Sequence, residues 1–149
     1  MAQSAGPQTR IAREPHFELV RFDGPVYVVR LRGRPTGADI VVATDAMEAD
    51  AGFRRPFGLV YAVTDELTGY DTSLLDVYDT ERAKRRPLPE MIGVVPRTAL
   101  HRMVIRAAAV GFRVATGQIL RVFESEDTAI TDAQAVLPAT RFRRSWPAA

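Results

Sequence analysis

The run Phe57-Gly58-Leu59-Val60-Tyr61-Ala62-Val63 restricts this chain more than any other stretch. It is apolar throughout instead of alternating, so neither side of an extended chain here would suit water. Such a run reads as a strand covered on both faces, as in a sheet with helices on each side. It passes directly into Thr64-Asp65-Glu66-Leu67-Thr68-Gly69-Tyr70-Asp71-Thr72-Ser73, which is polar. Open α/β sheets collect ligands and partners beyond the carboxyl ends of their strands. The 64–73 stretch, read as a loop, is therefore the first place to look for function.

The flanking sequence supplies the rest of the sheet and its cover. Met1 to Pro15 is rich in small and polar residues and reads as a loose N-terminal arm. Phe17 to Phe22 and Val26 to Arg32 are strands joined through Asp23-Gly24, a two-residue hairpin signal, with Pro25 tolerated at a strand start. In the second strand Tyr27, Val29 and Leu31 form the expected core face, and Val26, Val28, Arg30 and Arg32 the opposite face, whose arginines are solvated. Thr36 is an expected N-cap with Asp39 in the first turn of a helix carrying Ile40, Ala43, Thr44, Met47 and Ala51 and ending at Gly52.

Beyond the central strand, Asp71 or Thr72 caps a helix carrying Leu74, Leu75 and Tyr78. It ends in the cations Arg82 to Arg86 before Pro87 and Pro89. Met91 to Val95 is a strand ended by Pro96. Thr98 caps a helix with a stripe from Leu100 to Gly111, Ile119 to Phe123 is a last strand, and Ser125 opens a final helix that faces Ile130, Ala133 and Leu137 inward and stops at Pro138. The order β-β-α-β-α-β-α-β-α implies an α/β domain: a mixed sheet of about five strands covered by about four helices. Its expected extent is 16–137, after an arm over 1–15 and before an Arg/aromatic tail over 138–149.

Composition removes several function classes. There is no cysteine, which excludes disulfides, thiolate nucleophiles and Cys-ligated zinc and suits a reducing compartment. A net charge of +2 does not argue for specific nucleic acid. No apolar run reaches the ~18 residues of a membrane span, and Met1 to Arg13 lacks the apolar centre of a secretory signal, so the expected location is the cytoplasm. Asp65, Glu66 and Asp71 fit no calcium-loop spacing, and Gly33-Arg34-Pro35-Thr36-Gly37 is too irregular for a nucleotide fingerprint. His16 and His101 neighbour no serine–acid arrangement. No cofactor or metal is called for, and no enzyme chemistry emerges.

The strands Val28 to Gly33, Phe57 to Val63 and Ile92 to Val95, together with Arg121-Val122-Phe123-Glu124-Ser125-Glu126-Asp127-Thr128-Ala129, resemble the STAS domain of sulfate-transporter tails and anti-sigma-factor antagonists. The pattern is similar, more narrowly, to stand-alone STAS-like proteins related in fold to lipid-carrying CRAL-TRIO domains. Anti-sigma-factor antagonists carry an Asp-Ser-Ser-type phosphorylation motif at a helix start after the third strand. Asp71-Thr72-Ser73 lies at nearly that place, though Leu74 stands where the family has glycine and no strand-end aspartate has a clean counterpart.

The resemblance implies a bacterial-type regulatory domain that binds another protein without catalysis. Its contact residues would be Asp65, Tyr70, Asp71, Leu75, Arg82 and Arg85, with Thr72 and Ser73 as candidate phosphoacceptors. Helix capping is the commoner role for hydroxyl residues at that place. A second copy of the chain is a further candidate partner. Arg143 and Trp146 in the tail are candidates for a contact with a partner, with the domain itself or with a membrane surface. The alternative is a carrier holding a lipid or another small apolar ligand in a cleft between the 100–112 helix and the sheet.

Overall fold

The computed structural model describes residues 6–69, 89–98 and 120–145, with side chains as far as Pro138. Within these residues a six-stranded sheet runs in strict chain order: β1 (Thr9–Glu14), β2 (Phe17–Phe22), β3 (Val26–Gly33), β4 (Gly58–Leu67), β5 (Met91–Val95) and β6 (Leu120–Val122). β1, β2 and β3 are antiparallel neighbours, and β3 to β6 are parallel. Two helices are described, α1 (Gly37–Ala49) and α2 (Glu126–Ser145). The helices expected over 74–86 and after Thr98 lie outside the described residues.

The apolar run does occupy the middle of the sheet. β4 pairs Val28 with Val60 on one side and Val60 with Gly93 on the other. Both sheet faces are buried. On one, Val20, Phe22, Val26, Val28, Val60, Ala62, Met91 and Val95 pack with Ala129, Ile130, Ala133 and Leu137 of α2. On the other, Phe17, Leu19, Tyr27, Val29, Phe57 and Leu59 pack with Ala43 and Met47 of α1. Val26 and Val28, expected on a wet face, are fully buried. Each such valine contributes about 1.5–3 kcal/mol. The two faces of β3 are therefore both core, and only its last residues emerge.

Four further expectations are corrected. Residues 9–14, read as part of a loose arm, form edge strand β1, held by backbone pairing from Thr9↔Arg21 to Glu14↔Phe17. The β2–β3 turn takes in Pro25 as well as Asp23 and Gly24, because Phe22 pairs with Val26. Gly24 has φ +147°, a backbone region closed to residues with a Cβ.

α1 begins as expected, with a reciprocal cap in which the Asp39 N–H donates to Thr36 Oγ1 and the Thr36 N–H to Asp39 Oδ2 (2.8 Å). It ends at Ala49, short of Ala51 and Gly52, because Asp50 turns to an extended backbone and gives its carboxylate to Arg21 and Tyr27. α2 starts at the expected place, with Ser125 and Thr128 exchanging hydrogen bonds from N–H to hydroxyl (3.2 Å each). It does not stop at Pro138 but continues to Ser145. Proline in a helix removes one hydrogen bond; the turns before it are pinned by Ile130, Ala133 and Leu137, each fully buried.

Candidate functional site

The parallel strands β3 to β6 all end at one rim of the sheet. α1 leaves from that rim after β3, α2 leaves from it after β6, and the antiparallel β2 begins there. The rim thus gathers His16, Arg30, Thr36, Asp39, Thr64 to Leu67, Arg97 and Glu126 from segments far apart in sequence.

β4 reaches furthest over this rim. Its pairing with β5 ends at Ala62↔Val95, but it remains bonded to the end of β3: Thr64 Oγ1 donates to the Leu31 carbonyl (2.7 Å) and the Thr68 N–H to the Gly33 carbonyl (2.8 Å). The 64–67 segment, expected as loop, is therefore strand. Its polarity fits its position at the rim, where Asp65 and Glu66 are exposed and Thr64 and Leu67 half-buried. The Asp65 side chain is 92% exposed; Arg97 lies beside it, with Nε 3.3 Å from its carboxylate and Nη1 donating to its carbonyl (3.0 Å).

Two polar clusters brace the rim below this overhang. In the first, His16 Nδ1 and Asp39 Oδ2 are 2.9 Å apart, and Asp39 also accepts the Thr36 N–H and hydroxyl. Burial pushes the Asp39 carboxyl up, but the hydrogen bonds from Thr36 and His16 outweigh it and hold the group below the usual carboxylate range. In the second, Arg30 donates through Nε to both Glu126 oxygens (3.0 and 3.2 Å), through Nη1 to Glu18 (2.9 Å), and through Nη2 to Glu126 (2.6 Å) and Gln8 (2.8 Å). Burial alone would lower the Arg30 pKa; Glu126 and then Glu18 raise it. Arg30, expected to be a solvated arginine, is thus the tie between β2, β3, the first turn of α2 and Gln8 just ahead of β1.

Of the residues singled out from sequence, Asp65 stands on the rim where a partner could reach it. Tyr70, Asp71, Thr72, Ser73, Leu75, Arg82, Arg85 and Trp146 lie outside the described residues. Arg143 falls in the last turns of α2, and its side chain is also outside them. So is the 100–112 segment, which would wall the cleft of the carrier reading. The His16–Asp39 pair and the Arg30 cluster were not singled out. Glu18 and Arg30 are direct cross-strand partners, which hairpin register could have revealed; nothing local links His16 to Asp39. Among the described residues no group of three or more potential ligands is placed to hold a metal ion, and no helix is long and apolar enough to cross a membrane.

The fold has a counterpart among solved structures. It matches an uncharacterised protein of the DUF3478 family from Shewanella loihica PV-4, described as having a SpoIIAA-like fold. The TM-score is 0.54 at 18% sequence identity, over 89% of this chain and 98% of that one. No protein-family model and no curated protein matches the chain. At this identity the likeness establishes the fold alone: the chain has a SpoIIAA-like, that is STAS-like, architecture.

Proposed function

We propose that this chain is a non-catalytic STAS-like regulatory domain that recognises another protein at the carboxyl rim of its sheet. The contact runs through residues 64–73 and the segment that follows. The observation that carries this reading is the overhang of β4: a strand anchored deep in the core that delivers Asp65, 92% exposed, to a rim where two helices begin. Rigid elements that end in exposed polar residues are suited to recognition, because little ordering is left to be done on binding. Thr72 and Ser73 follow the same strand in sequence, and phosphorylation of either would add about −1.5 to −2 of charge to this surface and switch the affinity.

The reading is tested by co-purification from the native organism. Asp65→Lys is expected to abolish capture of a specific protein, while Asp23→Lys, at the opposite end of the sheet, leaves it intact. The Thr72→Ala, Ser73→Ala double variant is expected to remove any dependence of capture on phosphatase treatment. A captured protein retained equally by both lysine variants would refute the assignment of the rim.

A further inference from the structure

At the other end of the sheet, the β2–β3 turn and the α1–β4 connection enclose a shallow cavity of about 130 Å³. It is lined by Arg21, Phe22, Asp23, Gly24, Pro25, Gly52 and Arg54. The recognition rim does not involve it.

The two cations are held differently. The Arg21 guanidinium is fixed from behind: Nη1 donates to Asp50, whose same oxygen accepts the Tyr27 hydroxyl (2.7 Å). That leaves Nε and Nη2 of Arg21 without a hydrogen-bond acceptor among the described residues, and the side chain 25% exposed. Gly52 makes this position possible, since a Cβ there would overlap the guanidinium. Arg54, on the outer wall, is exposed and has no ion-pair partner among the described residues. The neighbouring Arg55 is likewise exposed and unpaired among them. Asp23 is the one carboxylate lining the cavity. Asp50 lies behind it, already neutralised by Arg21.

We infer that this cavity is a binding site for a small oxyanion, a phosphate or carboxylate group, with Arg21 as its fixed donor and Arg54 as an adjustable one. A guanidinium already held by a carboxylate and a tyrosine presents its remaining N–H groups in a set direction, which is the arrangement that suits forked recognition of an oxyanion. Asp23 weakens the site and restricts it to ligands that approach from the Arg54 side.

The test is a titration of the full chain with inorganic phosphate and, separately, acetate, in phosphate-free buffer of constant ionic strength. The amide NMR signals of Asp23, Gly24 and Gly52 are followed. Saturable shifts confined to this cavity are expected for at least one of the two anions, and their relative affinities distinguish phosphate from carboxylate as the ligand. Arg54→Gln, an exposed change that leaves the core intact, is expected to weaken binding by about fivefold, as for the loss of one exposed charge at contact distance. Asp23→Asn is expected to tighten it by a similar factor. Shifts no larger than those from chloride, or affinities unmoved by both substitutions, would overturn the inference.

Discussion

Arg30 stands on the same sheet face as Val26 and Val28, only further along the strand. Alternation assigns a side chain to a face, but it says nothing about how deep that face lies at each point. Here the face runs from core to rim, so two valines are sealed while the arginine meets Glu18 and Glu126 at the boundary. Because Arg30 is 22% exposed, its loss should cost less than that of a fully buried pair. Arg30→Ala is expected to lower stability by about 2 kcal/mol in urea unfolding, and Glu126→Gln by about 1 kcal/mol.

The acid limit of stability is also set by single residues. Asp39 and Asp50 are both held below the usual carboxylate range. At Asp50, burial works upward but is outweighed by hydrogen bonds from Arg21 and Tyr27. The unfolded chain therefore takes up these protons more readily than the folded one. Their stabilisation is complete above the unfolded carboxylate value of about 4 and is lost as pH falls through the folded values. Asp50→Asn is expected to flatten the fall in melting temperature below about pH 4, at a cost in stability near neutrality. Tyr27 runs the opposite way: burial and then the Asp50 contact raise its pKa, so its ultraviolet titration is expected above that of ordinary tyrosine, which lies near 10.

At the scale of elements, the chain was legible where apolar residues are contiguous or keep helical spacing. β4 announces itself as an unbroken run, α2 through Ile130, Ala133 and Leu137, and α1 through its cap Thr36-Asp39. β1 was illegible because Thr9-Arg10-Ile11-Ala12-Arg13-Glu14 holds two apolar residues in six, and its register shifts between Arg10 and Ala12. An edge strand needs only one bonded neighbour, and exposed charges keep it from recruiting another. Its polarity is thus a property of its place in the sheet, which composition reads as disorder. Ile11 and Ala12 nevertheless pack on the α1 side of the core. Removal of residues 1–15 is expected to cost about 2 kcal/mol in chemical unfolding, from the lost partial burial and pairing. Deletion of a disordered arm would cost nothing. The stop expected at Pro138 failed for the converse reason: local propensity was outweighed by the tertiary packing of the turns before it. Leu137→Ala, which empties a fully buried position next to Gly24 and Gly58, is expected to cost about 2–5 kcal/mol.

At the scale of the whole molecule, the sheet has two chemically distinct ends. The carboxyl rim combines an exposed strand end with helix starts and braced ion pairs. The amino end combines two arginines with a glycine-lined turn. The carboxyl rim could be foreseen because a buried parallel strand must deliver its following residues there. The contacts of Arg30 with Glu126 and of His16 with Asp39 could not, because they are set by pairing across 96 and 23 residues of chain respectively. The central claim is that recognition takes place at the carboxyl rim. It is tested most directly by a photo-crosslinking amino acid placed at position 65 and, in a separate protein, at position 23, each irradiated in the native cell extract. The account predicts one discrete protein adduct from position 65 that is absent from position 23. The same adducts from both positions, or none from position 65, would contradict it.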